Sequence, residues 1–140
     1  MSTLERAICI AAEAHSGQTD KAGAPYILHP LRVMLRMRDQ DERIVAVLHD
    51  VVEDSSWTID ALRKEGFSKV VVEALEYLTR KSDESYEEFI QRVSGSDLSR
   101  RVKLADLDDN SDMTRFAAPT TEDYRRLEKY RKAKIILSMP

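Results

Sequence analysis

Two short stretches carry more chemistry than their surroundings. The first is Ala46-Val47-Leu48-His49-Asp50-Val51-Val52-Glu53-Asp54, an apolar run holding four titratable side chains in two adjacent pairs. As a strand it would send His49 and Asp50 to opposite faces and force half of the charged groups inward. As a helix, turning about 100° per residue, it gathers His49, Asp50, Glu53 and Asp54 on one arc. Ile44, Val47, Leu48, Val51 and Val52 then face the core. The helix makes chemical sense and the strand does not. Close carboxylates raise one another's pKa unless a cation lies between them. A divalent metal would supply that cation, and a solvated acidic face with a chance histidine is the plainer alternative.

The second stretch is Val102-Lys103-Leu104-Ala105-Asp106-Leu107-Asp108-Asp109-Asn110. Asp106 shares a helical stripe with Val102, Asn110 and Met113, so it points toward the protein. A carboxylate there is costly unless it is paired or metal-bound. Lys103 and Asn110 lie on the same side, which leaves an inward Asp106–Lys103 ion pair as the alternative to a metal.

The elements that must position these residues are helical throughout. Residues 3–16 form an amphipathic pattern with Leu4, Ile8, Ala11, Ala12 and His15 on one side, which buries Cys9 as an inert thiol. A loop punctuated by Gly17, Gly23 and Pro25 follows. His29-Pro30 opens the next helix, to about Arg38, because proline fits the first helical turn. A histidine at that place is ordinarily a capping or core residue. The central helix covers about 42–54. Thr58 caps a short helix that Gly66 terminates, and residues 68–79 carry Val71, Val72, Leu75 and Leu78 at helical spacing. Ser85 and Glu88 form a capping box, Ser96 or Asp97 caps a helix to about Met113, and a last helix runs from about Thr121 to Leu137. The pattern predicts an all-α bundle of about seven or eight helices. Residues 1–140 are expected to form a single domain, which at this length buries a sizeable core without staples.

The ordered set His29-Pro30, His49-Asp50 and Leu104-Ala105-Asp106 resembles the H…HD…D signature of the HD-domain metal-dependent phosphohydrolases. Ala14-His15-Ser16-Gly17-Gln18 and Gly23-Ala24-Pro25-Tyr26-Ile27-Leu28-His29-Pro30 narrow the resemblance. With Leu48–Asp54 and Val102–Asp106, they are similar to the RelA/SpoT-type hydrolases and small alarmone hydrolases, over about residues 5–137. The resemblance implies that His29, His49, Asp50 and Asp106 bind a metal, Mn²⁺ by family habit. The mixed imidazole and carboxylate set would also suit Zn²⁺, Fe²⁺ or Mg²⁺. Glu53 and Asp54 match the catalytic acidic pair, which would orient or deprotonate the attacking water. Asn110 and Lys21 match substrate contacts, and Lys103 is a third substrate-binding candidate. His15 also matches, with a buried orienting role expected.

The match departs at two places. Thr19-Asp20-Lys21 puts an acid where the family commonly has a base-stacking arginine, and a carboxylate cannot stack as a cation. Leu107, Asp108 and Asp109 replace a segment that usually holds a basic residue and a histidine. Both changes are expected to make the pocket more acidic where substrate is recognised.

The expected activity is hydrolytic removal of the 3′-pyrophosphate from a (p)ppGpp-like nucleotide. The alternatives are another nucleotide, such as ppApp or the 2′-phosphate of NADPH, or a nucleotide-binding module without catalysis. All six ligand and acidic positions are present, as catalysis requires. The net charge of −3 offers no concentrated basic surface for nucleic acid. The sequence has one cysteine, no leader pattern and no membrane-length apolar run, so a cytoplasmic protein without membrane partners is expected.

Overall fold

The computed structural model describes residues 2–139, and its described residues form nine α-helices and one short 3-10 turn. In chain order these are α1 (Leu4–Ala14), α2 (Leu28–Leu35), α3 (Gln40–Leu48), α4 (Val51–Asp54) and α5 (Ile59–Lys64). Then come α6 (Lys69–Leu78), α7 (Tyr86–Val93), α8 (Asp97–Asn110), the turn Met113–Arg115 and α9 (Thr121–Ser138). Each helical segment expected from the sequence is present. One of them, the central helix, is two.

Helix α3 is the axis of the bundle. Ile44, Val45, Ala46, Val47 and Leu48 are all buried, so this helix is apolar around its circumference and must be enclosed by others. Helices α1, α2, α6 and α8 pack on it, and α9 lies across α7 and α8. Its start is fixed by a capping box between Asp39 and Glu42. Glu42 is buried because Arg101 of α8 donates to it at 2.6 Å.

The continuous helix expected over 42–54 stops at Leu48 and resumes at Val51. The cause is local. In an unbroken helix the Ala46 carbonyl would accept from the amide of Asp50. Here it accepts instead from the His49 ring at 2.5 Å and the His49 amide at 3.4 Å. Asp50 adopts φ −104°, ψ −1° and stands as the N-cap of α4. Glu53 and Asp54 therefore belong to a separate short helix rather than to α3.

The loop between α1 and α2 is closed by Asp20, whose Oδ1 accepts from the amides of Ala22 and Ala24 at 2.9 and 3.0 Å. That tight closure needs Gly23 at φ +88°, a conformation costly for a residue with a Cβ. The inward face of α1 is Ala7, Ile10 and Ala11; Ala12 and Cys9 are exposed, so the expected burial of the Cys9 thiol is corrected. Cys9 lies one position off the buried face, where one step of about 100° carries it to solvent. No helix among the described residues is long and apolar enough to cross a membrane.

Candidate metal centre and substrate cavity

Three elements bring four potential ligands together. His29 comes from the first turn of α2, where Pro30 has no N–H to leave unpaired. His49 and Asp50 occupy the break after α3, and Asp106 lies in the third turn of α8. One ligand atom from each of His29, His49, Asp50 and Asp106 lies within 4.8 Å of the others. Asp106 Oδ1 is 2.8 Å from His29 Nε2 and 3.2 Å from His49 Nε2. Asp50 Oδ2 is 3.0 Å from His49 Nε2 and 3.7 Å from His29 Nε2.

The outer nitrogens of both imidazoles are spoken for. His49 Nδ1 donates to the Ala46 carbonyl at 2.5 Å, and His29 Nδ1 donates to Asp109 Oδ2 at 2.6 Å. A carbonyl and an ionised carboxylate can only accept, so each Nδ1 carries a proton and each Nε2 faces the cluster. Two Nε2 atoms and two carboxylates converging in a buried site fit a divalent cation of borderline-to-hard character. The same donor set does not distinguish Mn²⁺ from its neighbours.

The electrostatics agree. Burial alone would depress the His49 imidazole, but the charges of Asp50 and Asp106 outweigh it and raise its pKa well above the ordinary value. His29 is raised in the same way, against burial, by hydrogen bonds to Asp106 and Asp109. Burial works to raise Asp50, yet the His49 charge and hydrogen bond bring it down to about 2. Asp106 is likewise held well below the carboxylate range, against burial, chiefly by Lys103 and His49. The two ionised carboxylates favour positive charge beside them, whether as imidazole protons or as a metal.

Beside the cluster lies a cavity of about 380 Å³. Asp54, Lys21 and Asn110 line it, as do Tyr26, Arg115, Arg126 and Tyr130, which the sequence alone did not single out. Asn110 also donates to Asp106 Oδ1 at 3.1 Å, tying cavity to cluster. Partial desolvation, then the charge of Asp50, raises the carboxyl of the exposed Asp54 to about 6. Burial and the nearby Arg126 guanidinium lower the Lys21 ammonium.

Two candidates sit elsewhere. Glu53 is exposed and accepts from the Arg80 amide at 2.7 Å, outside the cavity lining. Lys103 is also absent from the lining. Its ammonium lies 2.8 Å from Asp106 Oδ2 and 5.3 Å from the centre of the Phe89 ring. The inward ion pair weighed from the sequence therefore exists, alongside the cluster rather than in place of it.

The departures from the family pattern resolve differently. Asp20 lines the cavity, with Oδ1 committed to the loop amides. Leu107 to Asp109 do not line it, which corrects the expectation of a more acidic pocket there. Leu107 is buried in the core, Asp108 meets Lys134 at 3.3 Å, and Asp109 turns behind His29. His15 is buried, its Nδ1 donating to Gln18 Oε1 at 2.9 Å while Gln18 Nε2 donates to the Asp54 carbonyl at 2.9 Å. It acts through Gln18 on the backbone that presents Asp54.

Tyr26 could have been found from its place three residues before His29, on the same side of a helix entrance. Arg126 and Tyr130 could not. Helix α9 is polar on most of its circumference, so its sequence does not say which face meets the cavity.

No family model matches the chain. It is 34% identical over 119 residues to a guanosine-3′,5′-bis(diphosphate) 3′-pyrophosphohydrolase of Aquifex aeolicus, covering 76% of this chain and 17% of that protein. It is 31% identical over 135 residues to the bifunctional (p)ppGpp synthase/hydrolase SpoT of Escherichia coli, covering 88% of this chain and 19% of that one. The chain thus spans less than a fifth of the length of these relatives, at 17% and 19%. Its fold matches a solved structure described as a metazoan ortholog of SpoT that hydrolyzes ppGpp and plays a role in starvation responses. That match has a TM-score of 0.80 at 22% identity and covers 99% of this chain and 86% of the other. Along most of its length the chain is thus similar in sequence to part of the SpoT-type pyrophosphohydrolases, and it shares an all-helical fold with the solved SpoT ortholog.

Proposed function

We propose that this chain is an HD-type, divalent-metal-dependent hydrolase that removes the 3′-pyrophosphate of (p)ppGpp-like purine nucleotides. The observation that carries the reading is the convergence of His29, His49, Asp50 and Asp106 beside a cavity with Asp54 at its wall. The names of the relatives supply the substrate class. His29, His49, Asp50 and Asp106 would hold the ion, and Mn²⁺ is the ion proposed. When bound, it would supply Lewis-acid polarisation of a phosphoryl oxygen.

The chain's own groups do the rest. Asp54, with a carboxyl raised to about 6, is poised to take a proton from an attacking water near neutral pH. Glu53 anchors the same short helix to the Arg80 amide and so sets where Asp54 stands. Lys21, Arg126 and Arg115 offer cationic contacts for phosphate, and Asn110 a hydrogen bond beside the metal ligands. Lys103 offsets the Asp106 charge from outside the cavity lining.

Residues 1–140 act in this reading as one domain on a free nucleotide in the cytosol, without nucleic acid or membrane. The test is a phosphate and pyrophosphate release screen with Mn²⁺ over ppGpp, pppGpp, ppApp, NADPH and deoxynucleoside triphosphates. Pyrophosphate released from a 3′-pyrophosphorylated nucleotide is the expected result. Release of triphosphate, or only of a 2′-phosphate, would redirect the assignment.

A further inference from the structure

His29 is buried between two carboxylates on opposite edges of its ring. Nε2 lies 2.8 Å from Asp106 Oδ1, on the side of the candidate metal ligands, and Nδ1 lies 2.6 Å from Asp109 Oδ2, on the side away from them. Asp109 is 1% exposed and stands outside the four-residue ligand group. Its remaining partners are cations. Arg32 Nε donates to Oδ1 at 2.8 Å and Arg32 Nη2 to Oδ2 at 3.0 Å, while the guanidinium groups of Arg36 and Arg115 each approach to 3.8 Å.

The arrangement is a ladder between two helices. His29 and Arg32 stand three residues apart on α2, and Asp106 and Asp109 three apart on α8, so each pair shares a face. His29 bridges both aspartates and Arg32 closes on the second. The other imidazole is backed differently, since His49 Nδ1 donates to an uncharged carbonyl of its own helix. Only one of the two candidate histidine ligands has a carboxylate behind it. A carboxylate in that position fixes tautomer and ring orientation and increases the donor strength of the opposite nitrogen.

We propose that Asp109 is a positioning residue for the metal centre, holding His29 with Nε2 toward the ion while Arg32 holds Asp109 in place. This rests on the metal-dependent reading above. It assigns a role to the residue that, from the sequence, counted only as a departure from the family pattern. It also explains why an acid can stand there without making the cavity more acidic: its charge is met by His29 and Arg32 before it reaches the cavity.

The test is calorimetric titration of Mn²⁺ into the wild type, Asp109→Asn, Asp109→Ala, Arg32→Gln and Glu42→Gln. Glu42 is the control, a buried acid paired with Arg101 rather than with the cluster. Losing a carboxylate behind a ligating histidine typically costs about 10–100-fold in metal affinity. Asp109→Asn, which keeps an acceptor, should fall at the low end of that range and Asp109→Ala at the high end. Arg32→Gln should weaken binding less than either, and Glu42→Gln should leave affinity unchanged even where it lowers the melting temperature. In parallel, ¹⁵N NMR above the His29 pKa should show a single Nδ1–H tautomer in the wild type and a mixture in Asp109→Ala. If the alanine variant does not fold, the asparagine variant decides by affinity alone. A folded Asp109→Asn protein that binds Mn²⁺ as tightly as the wild type overturns the proposal and leaves the metal site standing. A wild type that binds no divalent ion overturns both.

Discussion

The Tyr26 hydroxyl donates to Asp50 Oδ2 at 2.5 Å, linking the loop before α2 to the break after α3. Burial, then the Asp50 charge, pushes the phenol pKa up, so Tyr26 remains a donor throughout the physiological range. Tyr26→Phe deletes that donor and leaves the ring in place. Hydrogen bonds to charged groups contribute about 1.5–3 kcal/mol, and the variant should lose an amount of that order in urea denaturation. Mn²⁺ affinity should fall as well, because Asp50 loses a contact that orients it. An unchanged denaturation midpoint would mean that water replaces the hydroxyl at no cost.

Asp106 carries two loads at once. Its Oδ1 faces the imidazoles and its Oδ2 holds the Lys103 ammonium. Asp106→Asn should therefore both abolish tight metal binding and strand the partly buried Lys103 ammonium, at a cost below the about 3–5 kcal/mol of a fully buried pair. The double variant Asp106→Asn, Lys103→Met should regain much of the stability and none of the metal binding. Thermal melts with and without Mn²⁺ separate the two effects. Recovery of metal binding in the double variant would remove Asp106 from the ligand set.

Asp54→Asn should lower kcat by about 10²–10⁴-fold with little change in Mn²⁺ affinity, as expected on removal of a general base. Glu53→Gln keeps an acceptor for the Arg80 amide. Its loss of turnover should be the smaller of the two, since Glu53 stands outside the cavity lining. Steady-state kinetics on the true substrate decide, and equal, near wild-type rates in both variants would discard the pair.

The protonation of the imidazoles gives a pH dependence with a definite sign. His29 and His49 are both raised above the ordinary value, so below that range each carries a proton that an incoming cation must displace. Mn²⁺ affinity should rise from about pH 6 to pH 8, a span that begins just below the ordinary imidazole pKa of about 6.5. Binding should release protons, measured as a dependence of the apparent binding enthalpy on the ionisation enthalpy of the buffer. A flat affinity over that range would exclude the imidazoles as ligands.

Base preference should respond to Asp20. Replacing it by arginine would restore a stacking cation but also break the two loop bonds that Oδ1 accepts. Asp20→Asn preserves an acceptor for the amides of Ala22 and Ala24 and removes only the charge. Both variants should raise kcat/KM for ppGpp relative to ppApp, the arginine more than the asparagine. Ratios identical to the wild type would confine Asp20 to closing the loop.

By itself, the sequence determined the helical class and most helix ends, and its resemblance to a family named the four ligand candidates that the structure brings together. Those features are written in local signals: apolar periodicity, the caps at Thr58, Ser85 and Ser96, and ordered His and Asp motifs. Tertiary structure decided the rest. The break at His49–Asp50 depends on a side chain competing for its own helix's carbonyl, which periodicity does not register. That Arg126 and Tyr130 line the cavity depends on how a largely polar helix is rotated against α7 and α8. Asp109 was legible as an acid but not as a partner of His29, because the two are 80 residues apart and only the packing of α2 on α8 closes the distance to 2.6 Å. Local physics fixes which residues can do chemistry, and long-range packing fixes which of them meet.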